Sequence, residues 1–333
     1  MRFREPVLAS IVGLRGRLRV EGEKQHVYGP VSSRRLGRSL GVDLVPFKVC
    51  SFNCTYCQLG RTTTLTCERR EYVPVTAVLD DLAKALASGP LPDYVTLSGS
   101  GEPTLHSRLG DIAKAIRDLT DRPIAVLTNG SLFFDKDVRE ACALADVVLP
   151  TLAAHDEAGY QRIHRPCPGL TLAGQVGGLK AFRAEHETPM WIELFVLEGV
   201  NATDADRDAF ARLIDEIDPD RVQLNTVVRP ASEPSARAVA PEKLEQWARA
   251  LGPRAEVIAE VPLDTAGGSA ASGADVLELC RRRPCTLEQI AEALDLHRNE
   301  VLKHITSLLG AESIRSEWKG GREYFVATRS ACP

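Results

Sequence analysis

The chain has 333 residues, 44% of them hydrophobic and 26% charged, with a net charge of −4. That is ordinary globular composition, enough for a large α/β domain and a small one, and its charge excludes a global field steering it to nucleic acid or anionic membrane. The nine cysteines are odd in number and unevenly spaced, which favours metal or free thiols over a disulfide framework. With no apolar run long enough to span a bilayer and no signal peptide, no membrane association is expected and the cytoplasm is the expected location.

Residues 1–27 read as an N-terminal extension, an arm or strand pair in which Arg2, Arg4, Arg15, Arg17 and Arg19 lie among apolar residues such as Ile11, Val12 and Leu14. Tyr28 to Asp43 is punctuated by glycine and proline and reads as a loop. Its Arg34, Arg35 and Arg38 could grip a phosphate or carboxylate, or simply be solvated. Gly41 to Val45 is expected to be the first strand. It runs into Cys50-Ser51-Phe52-Asn53-Cys54-Thr55-Tyr56-Cys57, a C-x-x-x-C-x-x-C run. Thiolates select zinc or iron–sulfur over hard cations. Three thiolates are one short of closing a structural zinc site or fully ligating a cluster. A four-iron cluster held by three cysteines leaves one iron free for another ligand. Zinc with a distant fourth ligand, or three buried thiols, are the competing readings.

From residue 76 strand and helix alternate. Strands are expected at Tyr94–Ser98, Ile124–Thr128, Val147–Leu149, Trp191–Leu197 and Arg221–Val228. Helices are expected at Val78–Ala87, Leu109–Leu119, Lys136–Leu144, Gly174–Glu185, Asp204–Ile217 and Pro241–Leu251. Such alternation argues parallel βαβ units, and six strands argue a partial (β/α)6 barrel over 28–262. Active sites of such folds gather at the C-terminal strand ends. After the second strand comes Ser98-Gly99-Ser100-Gly101-Glu102-Pro103, where small residues allow close backbone approach and Glu102 can accept hydrogen bonds from an ammonium group. After the third comes Thr128-Asn129-Gly130, after the fourth Pro150-Thr151-Leu152-Ala153, and after the sixth Asn225, Thr226 and Arg229.

Taken together, these segments resemble the radical S-adenosylmethionine (SAM) superfamily. Cys50, Cys54 and Cys57 match its cluster loop, Tyr56 its aromatic near the adenine, Ser100-Gly101-Glu102-Pro103 its glycine–glutamate segment at the SAM amino group, and Thr128-Asn129-Gly130 its segment near the ribose. The resemblance implies a [4Fe–4S] cluster whose free iron chelates SAM, with Thr151 and Asn225 as further cofactor contacts. It implies reductive cleavage of SAM to a 5′-deoxyadenosyl radical, a one-electron reductant such as flavodoxin or ferredoxin, and hydrogen abstraction from a substrate. Residues 28–262 are similar to the wyosine-type branch, named for enzymes that modify a guanosine in tRNA, through Tyr-Gly-Pro-Val and Arg-Arg-Leu-Gly before the cysteines. Two departures stand out. Ala153 occupies the place of an acidic residue whose role is absent or passes to Asp156, and no cysteine precedes Cys50 to hold a second cluster. The substrate could be a nucleoside in RNA, a peptide or a small metabolite. The rival from another class is an iron–sulfur redox-sensing transcription regulator.

Cys142 reads as core, while Cys67 and Cys167 could face the site as redox or relay thiols. His106 and His164 read as hydrogen-bonded loop histidines. Residues 263–273 form a small-residue linker. Beyond it, 274–333 resembles a winged-helix domain: a helix to Cys280, a Thr286-capped helix to Leu294, a third from Arg298 to Leu308, and a hairpin turning at Lys319-Gly320-Gly321. Its third helix offers His297, Arg298, Asn299, Lys303 and His304 to a partner. Charge over 274–330 balances at nine basic and nine acidic residues, which argues for protein contact or substrate docking over DNA binding; an RNA or protein substrate could dock there.

Overall fold

The computed structural model describes residues 26–33, 35–228, 231–259, 272–294, 296 and 298–328. The expected extension up to residue 25, Arg34, Arg229, His297 and the linker through residue 271 lie outside the described residues, as do the side chains of Arg298, Asn299 and Lys303.

Strands β1 (Val27–Ser33) and β2 (Gly37–Val42) are followed by the two-residue strands β3 (Val49–Cys50) and β4 (Thr64–Leu65). The chain then alternates through α1 (Val75–Ser88), β5 (Tyr94–Leu97), α2 (Leu109–Leu119), β6 (Ile124–Thr128), α3 (Lys136–Cys142) and β7 (Val147–Leu152). It continues with α4 (Glu157–His164), α5 (Leu172–Glu185), β8 (Trp191–Phe195), α6 (Asp204–Ile217), β9 (Arg221–Asn225), α7 (Pro241–Leu251) and β10 (Ala255–Val257). One eight-stranded sheet has the order β1-β2-β5-β6-β7-β8-β9-β10. The six expected strands are all there and all parallel, and β10 adds a seventh beside β9.

Two expectations are corrected. Residues 28–42 are not a loop: β1 pairs antiparallel with β2 at the sheet edge, with a register shift between Tyr28 and Val31. Gly29 and Pro30 lie in that irregularity, where an edge strand tolerates them, and Gly37 makes the turn at φ 64°. Helix α4 was not anticipated. It is one short stretch, opened by the Asp156 carboxylate accepting from the Gly159 amide at 2.6 Å. Asp156 is therefore a helix cap, a sufficient account of a carboxylate at that position.

Strand side chains alternate between two faces. Val95, Leu97, Val126, Val148, Ile192, Leu194, Val222 and Leu224 form the face covered by helices, each 0% exposed. Helix α5 crosses this layer so closely that a Cβ on Gly178 would stand 2.3 Å from the Phe133 carbonyl carbon and 2.5 Å from the Phe134 nitrogen. Both neighbours are backbone, so neither can yield cheaply. Gly178→Ala is expected to destabilise the fold by about 1–3 kcal/mol, read as a fall in the thermal midpoint.

Residues 272–328 form α8 (Gly273–Arg282), α9 (Leu287–Leu294), α10 (Arg298–Gly310) and the antiparallel hairpin of β11 (Ile314–Lys319) and β12 (Arg322–Ala327). Thr286 and Gln289 cap α9 reciprocally, at 3.1 and 3.3 Å. Val276, Leu279, Ile290, Val301, Ile305 and Phe325 pack into one cluster that also takes in Val31 of β1. This C-terminal unit thus docks on the sheet edge that the sequence reads as loop.

Candidate active site

A cavity of about 1650 Å³ runs along the inner face of the sheet and takes in the C-terminal ends of its strands. The two-residue period puts Thr96 and Ser98, Leu127 and Asn129, Leu149 and Thr151, and Glu193 and Phe195 on its wall. Its lining includes Cys50, Cys54 and Cys57. The loop carrying them is tied from several sides. The Thr66 amide donates to the Cys50 carbonyl at 3.0 Å, and the Cys167 amide to Ser51 at 2.8 Å. Ser232 closes the far end: its amide donates to the Cys57 carbonyl at 2.9 Å, and its hydroxyl donates to the Cys54 carbonyl at 2.8 Å.

The thiols have polar neighbours of their own. Lys48, 3% exposed and held at a left-handed φ of 60°, donates from Nζ to Cys57 Sγ at 3.0 Å. Asn129 Nδ2 donates to Ser51 Oγ at 2.8 Å and lies 3.7 Å from Cys50 Sγ. His164 Nδ1 lies 3.4 Å from Cys54 Sγ and 3.5 Å from the Tyr56 hydroxyl. Burial pushes the His164 ring down to about 3, so it is neutral there. Tyr56 stacks on Phe195 with ring centroids 4.1 Å apart. Burial pushes the Cys50 thiol up to about 12 and Cys54 well above its ordinary range. Thiolates formed here therefore need positive charge, and bound iron supplies it. Among the described residues no group of three or more histidine, cysteine or acidic side chains converges on a single-ion site. A cluster, with several irons and its own sulfide, requires no such convergence. The donor set thus fits a cluster: three thiols on one loop, with a lysine ammonium and an amide beside the sulfurs.

Glu102 is 2% exposed beside the cysteines. Its Oε1 accepts from the Thr104 amide at 3.1 Å and from the Thr104 and Thr128 hydroxyls at 2.6 Å each. Its Oε2 accepts from the Asn129 amide at 2.8 Å. Burial raises its carboxyl above the ordinary range, against the pull of those donors. Three donors converge on Oε1 and one on Oε2, so Oε2 keeps an acceptor position open. Glu102 therefore caps the short helical turn Pro103–Leu105 and pins Thr128 and Asn129 beside it. Gly101 is required where it stands: a Cβ there would lie 1.9 Å from the Val49 carbonyl oxygen. Ser100 is held by Asp43, which accepts from its amide at 2.6 Å and from its hydroxyl at 3.1 Å.

Thr151 and Asn225 meet at a residue the sequence reading passed over. Glu193 Oε2 accepts from the Thr151 hydroxyl and Oε1 from Asn225 Nδ2, each at 2.8 Å. Arg35 pairs with Glu193 at 3.2 Å. The signal was present, since Trp191-Ile-Glu-Leu-Phe places one acid in an otherwise apolar strand. Of the two described arginines of that segment, Arg35 lines the cavity and Arg38 does not. Cys67 and Cys167 are also outside the cavity lining. Cys142 is core at 0% exposure. His106 is a fastened loop histidine, with Nε2 2.9 Å from the Val73 carbonyl and Nδ1 accepting from the Arg108 amide.

A parallel α/β sheet with three thiols and a glycine–glutamate loop at one end of its cavity defines a cluster-dependent enzyme class. The chain belongs to the radical SAM superfamily, whose family model matches residues 44–214. Its cofactors are a [4Fe–4S] cluster and SAM. It is 35% identical to a UPF0026 protein of Methanocaldococcus jannaschii, over 69% of this chain and 71% of that one. It is 32% identical to a protein named GTPase Obg from Brachyspira hyodysenteriae, over 96% of this chain and 47% of that protein; the chain spans about half the length of that relative. A solved structure of a radical SAM methyltransferase from Sphaerobacter thermophilus aligns over 66% of each chain, with 17% identity and a TM-score of 0.49. Among the described residues no helix is long and apolar enough to cross a membrane.

Proposed function

We propose that Cys50, Cys54 and Cys57 hold the cluster, that Tyr56, Ser100–Glu102, Thr128, Asn129, Thr151 and Asn225 form the SAM side of the cavity, and that the substrate is a nucleoside within RNA. When bound, the cluster and SAM supply an electron from a flavodoxin- or ferredoxin-type reductant and a hydrogen-abstracting radical. The chain's own residues position and seal. Ser100 and Gly101 bring backbone against the ligand, Glu102 sets negative potential where an ammonium would sit, and Tyr56 on Phe195 offers an aromatic surface.

One observation carries the substrate reading. The cavity is lined from both sides, with Arg237 from the sheet side and Arg283, Lys319 and Arg322 from the C-terminal unit. None of these four has a carboxylate partner among the described residues, and with Arg35, Lys48 and Arg282 the lining carries seven basic side chains against four acidic ones, Glu102, Glu193, Glu245 and Glu292. Unpaired cations around an opening suit phosphates. The segment around Tyr28–Gly37, similar to the wyosine-type branch, supports RNA over other phosphate carriers, and the likeness of residues 274–333 to a winged helix supports a docking role.

The test is crosslinking and sequencing of RNA bound in anaerobic cells. A defined RNA should be enriched over protein lacking 272–333. Lys319→Glu with Arg322→Glu should weaken its retention about tenfold or more and lower the salt dependence by about two phosphate contacts. Equal recovery with and without the C-terminal unit, or capture of a peptide instead, overturns the RNA reading.

A further inference from the structure

Arg282, the last residue of α8, reaches out of the C-terminal unit into the sheet domain and is 9% exposed. Its guanidinium pairs with the Asp43 carboxylate. It also lies over the Tyr28 ring, 3.5 Å from the centroid. The Tyr28 ring in turn rests on Gly41, where a Cβ would stand 2.1 Å from ring Cζ. Asp43 has a second duty: its two oxygens accept from the Ser100 amide and hydroxyl at 2.6 and 3.1 Å. A Cβ on neighbouring Gly99 would lie 1.6 Å from Asp43 Oδ1, so the loop fits this carboxylate without slack. The Tyr28 hydroxyl meets the Ser98 hydroxyl at 3.2 Å. Two separate chains of contacts thus run from one arginine to one loop.

We propose that Arg282 is a positioning residue for the Ser98–Glu102 loop, acting through Asp43 and Tyr28, so that the C-terminal unit is a working part of the SAM site. A carboxylate buried between a loop amide and a guanidinium stays ionised and aimed only while the guanidinium is present. Withdrawing Arg282 leaves Asp43 to turn or protonate, and Ser100 loses its partner. Coupling of this kind is reciprocal: a unit that orders the loop for the ligand is itself held more tightly when the ligand is bound. The link to SAM rests on the reading that the Ser100–Glu102 segment binds it; the link to the loop does not.

The experiment uses the full chain. Hydrogen exchange of the peptide spanning 98–102 is measured without SAM, and SAM affinity is measured on cluster-reconstituted protein. Arg282→Met is expected to speed exchange of that peptide and raise the SAM dissociation constant, each about tenfold, the loss of one charge-assisted bond. Iron content should be unchanged. Asp43→Asn combined with Arg282→Met should show less than the sum of the two single effects, because both substitutions cut the path through Asp43 and only the path through Tyr28 is separate. Arg282→Lys keeps the charge and gives up the planar guanidinium over the ring. It is expected to be intermediate, and it keeps the question open to measurement if the methionine variant does not fold. Unchanged exchange at 98–102, or additive effects of the two substitutions, overturns the proposal. Accelerated exchange in a protein whose parent binds no SAM upholds the positioning role and removes only the SAM reading.

Discussion

Cys54→Ala is expected to lose both the cluster and 5′-deoxyadenosine formation while the chain remains folded. The three thiols share one loop, and three is already one fewer than full ligation of a cluster, so no spare ligand stands by. Among the described residues Cys67 and Cys167 are the other thiols packed near this loop; neither lines the cavity. His164 lies beside Cys54 with its ring neutral, but it is buried behind the loop at 0% exposure. The backbone ties of the loop to Thr66, Cys167 and Ser232 do not involve the Cys54 side chain, so the fold should survive. After anaerobic reconstitution with iron and sulfide, iron should fall from about four per chain to well under one, with the visible absorption lost. Cys67→Ser, handled identically, should keep both. Normal iron loading and SAM cleavage in Cys54→Ala would remove the ligand assignment.

Glu102→Gln is expected to weaken SAM binding about ten- to a hundred-fold and to lower the thermal midpoint, with the cluster's absorption retained. Every partner of this carboxylate among the described residues is a donor: Thr104 twice, Thr128 and the Asn129 amide. A glutamine must turn its NH2 toward one of them. Facing Asn129 it loses the bond that holds the third-strand loop; facing the threonines it loses the turn. Either orientation leaves a buried donor without a partner, at a cost of about 1–3 kcal/mol. The negative charge next to the proposed ammonium position disappears as well. Thr104→Val separates the two effects, since it removes one hydroxyl from the cap and leaves the carboxylate charged. It should lower stability and hold SAM affinity. If Glu102→Gln lowers stability alone, the carboxylate is a cap and an anchor and nothing more.

The parts of the site that the sequence disclosed are those written in consecutive residues. Cys50, Cys54 and Cys57 declare themselves by spacing, and Ser100-Gly101-Glu102 and Thr128-Asn129 by following apolar runs in an alternating α/β pattern. Glu102 illustrates the limit of that reading. Its position at the cavity was legible, whereas its four protein donors come from three residues, two of them 26 and 27 positions away. Glu193 was overlooked because a lone acid in a strand acquires meaning only when the parallel register sets Thr151 opposite it and Asn225 one strand further on. Lys48 carries no local signal at all, since its role depends on a left-handed backbone that turns its ammonium onto Cys57.

By itself the sequence determined the three-thiol loop, the α/β class and the six alternating strands, and the cofactor chemistry followed from the family resemblance those segments carry. Thiol spacing, glycine placement and a two-residue period are local properties, set by backbone geometry within a few residues. The tertiary structure alone decided that Tyr28–Val42 is an edge hairpin, that Glu193 gathers the far wall of the cavity, and that the C-terminal unit reaches the glycine–glutamate loop through Arg282. Arg282 and Asp43 are 239 residues apart. A contact between such distant residues leaves no periodic trace in the chain, because only the packing of α8 against the sheet edge brings guanidinium and carboxylate together.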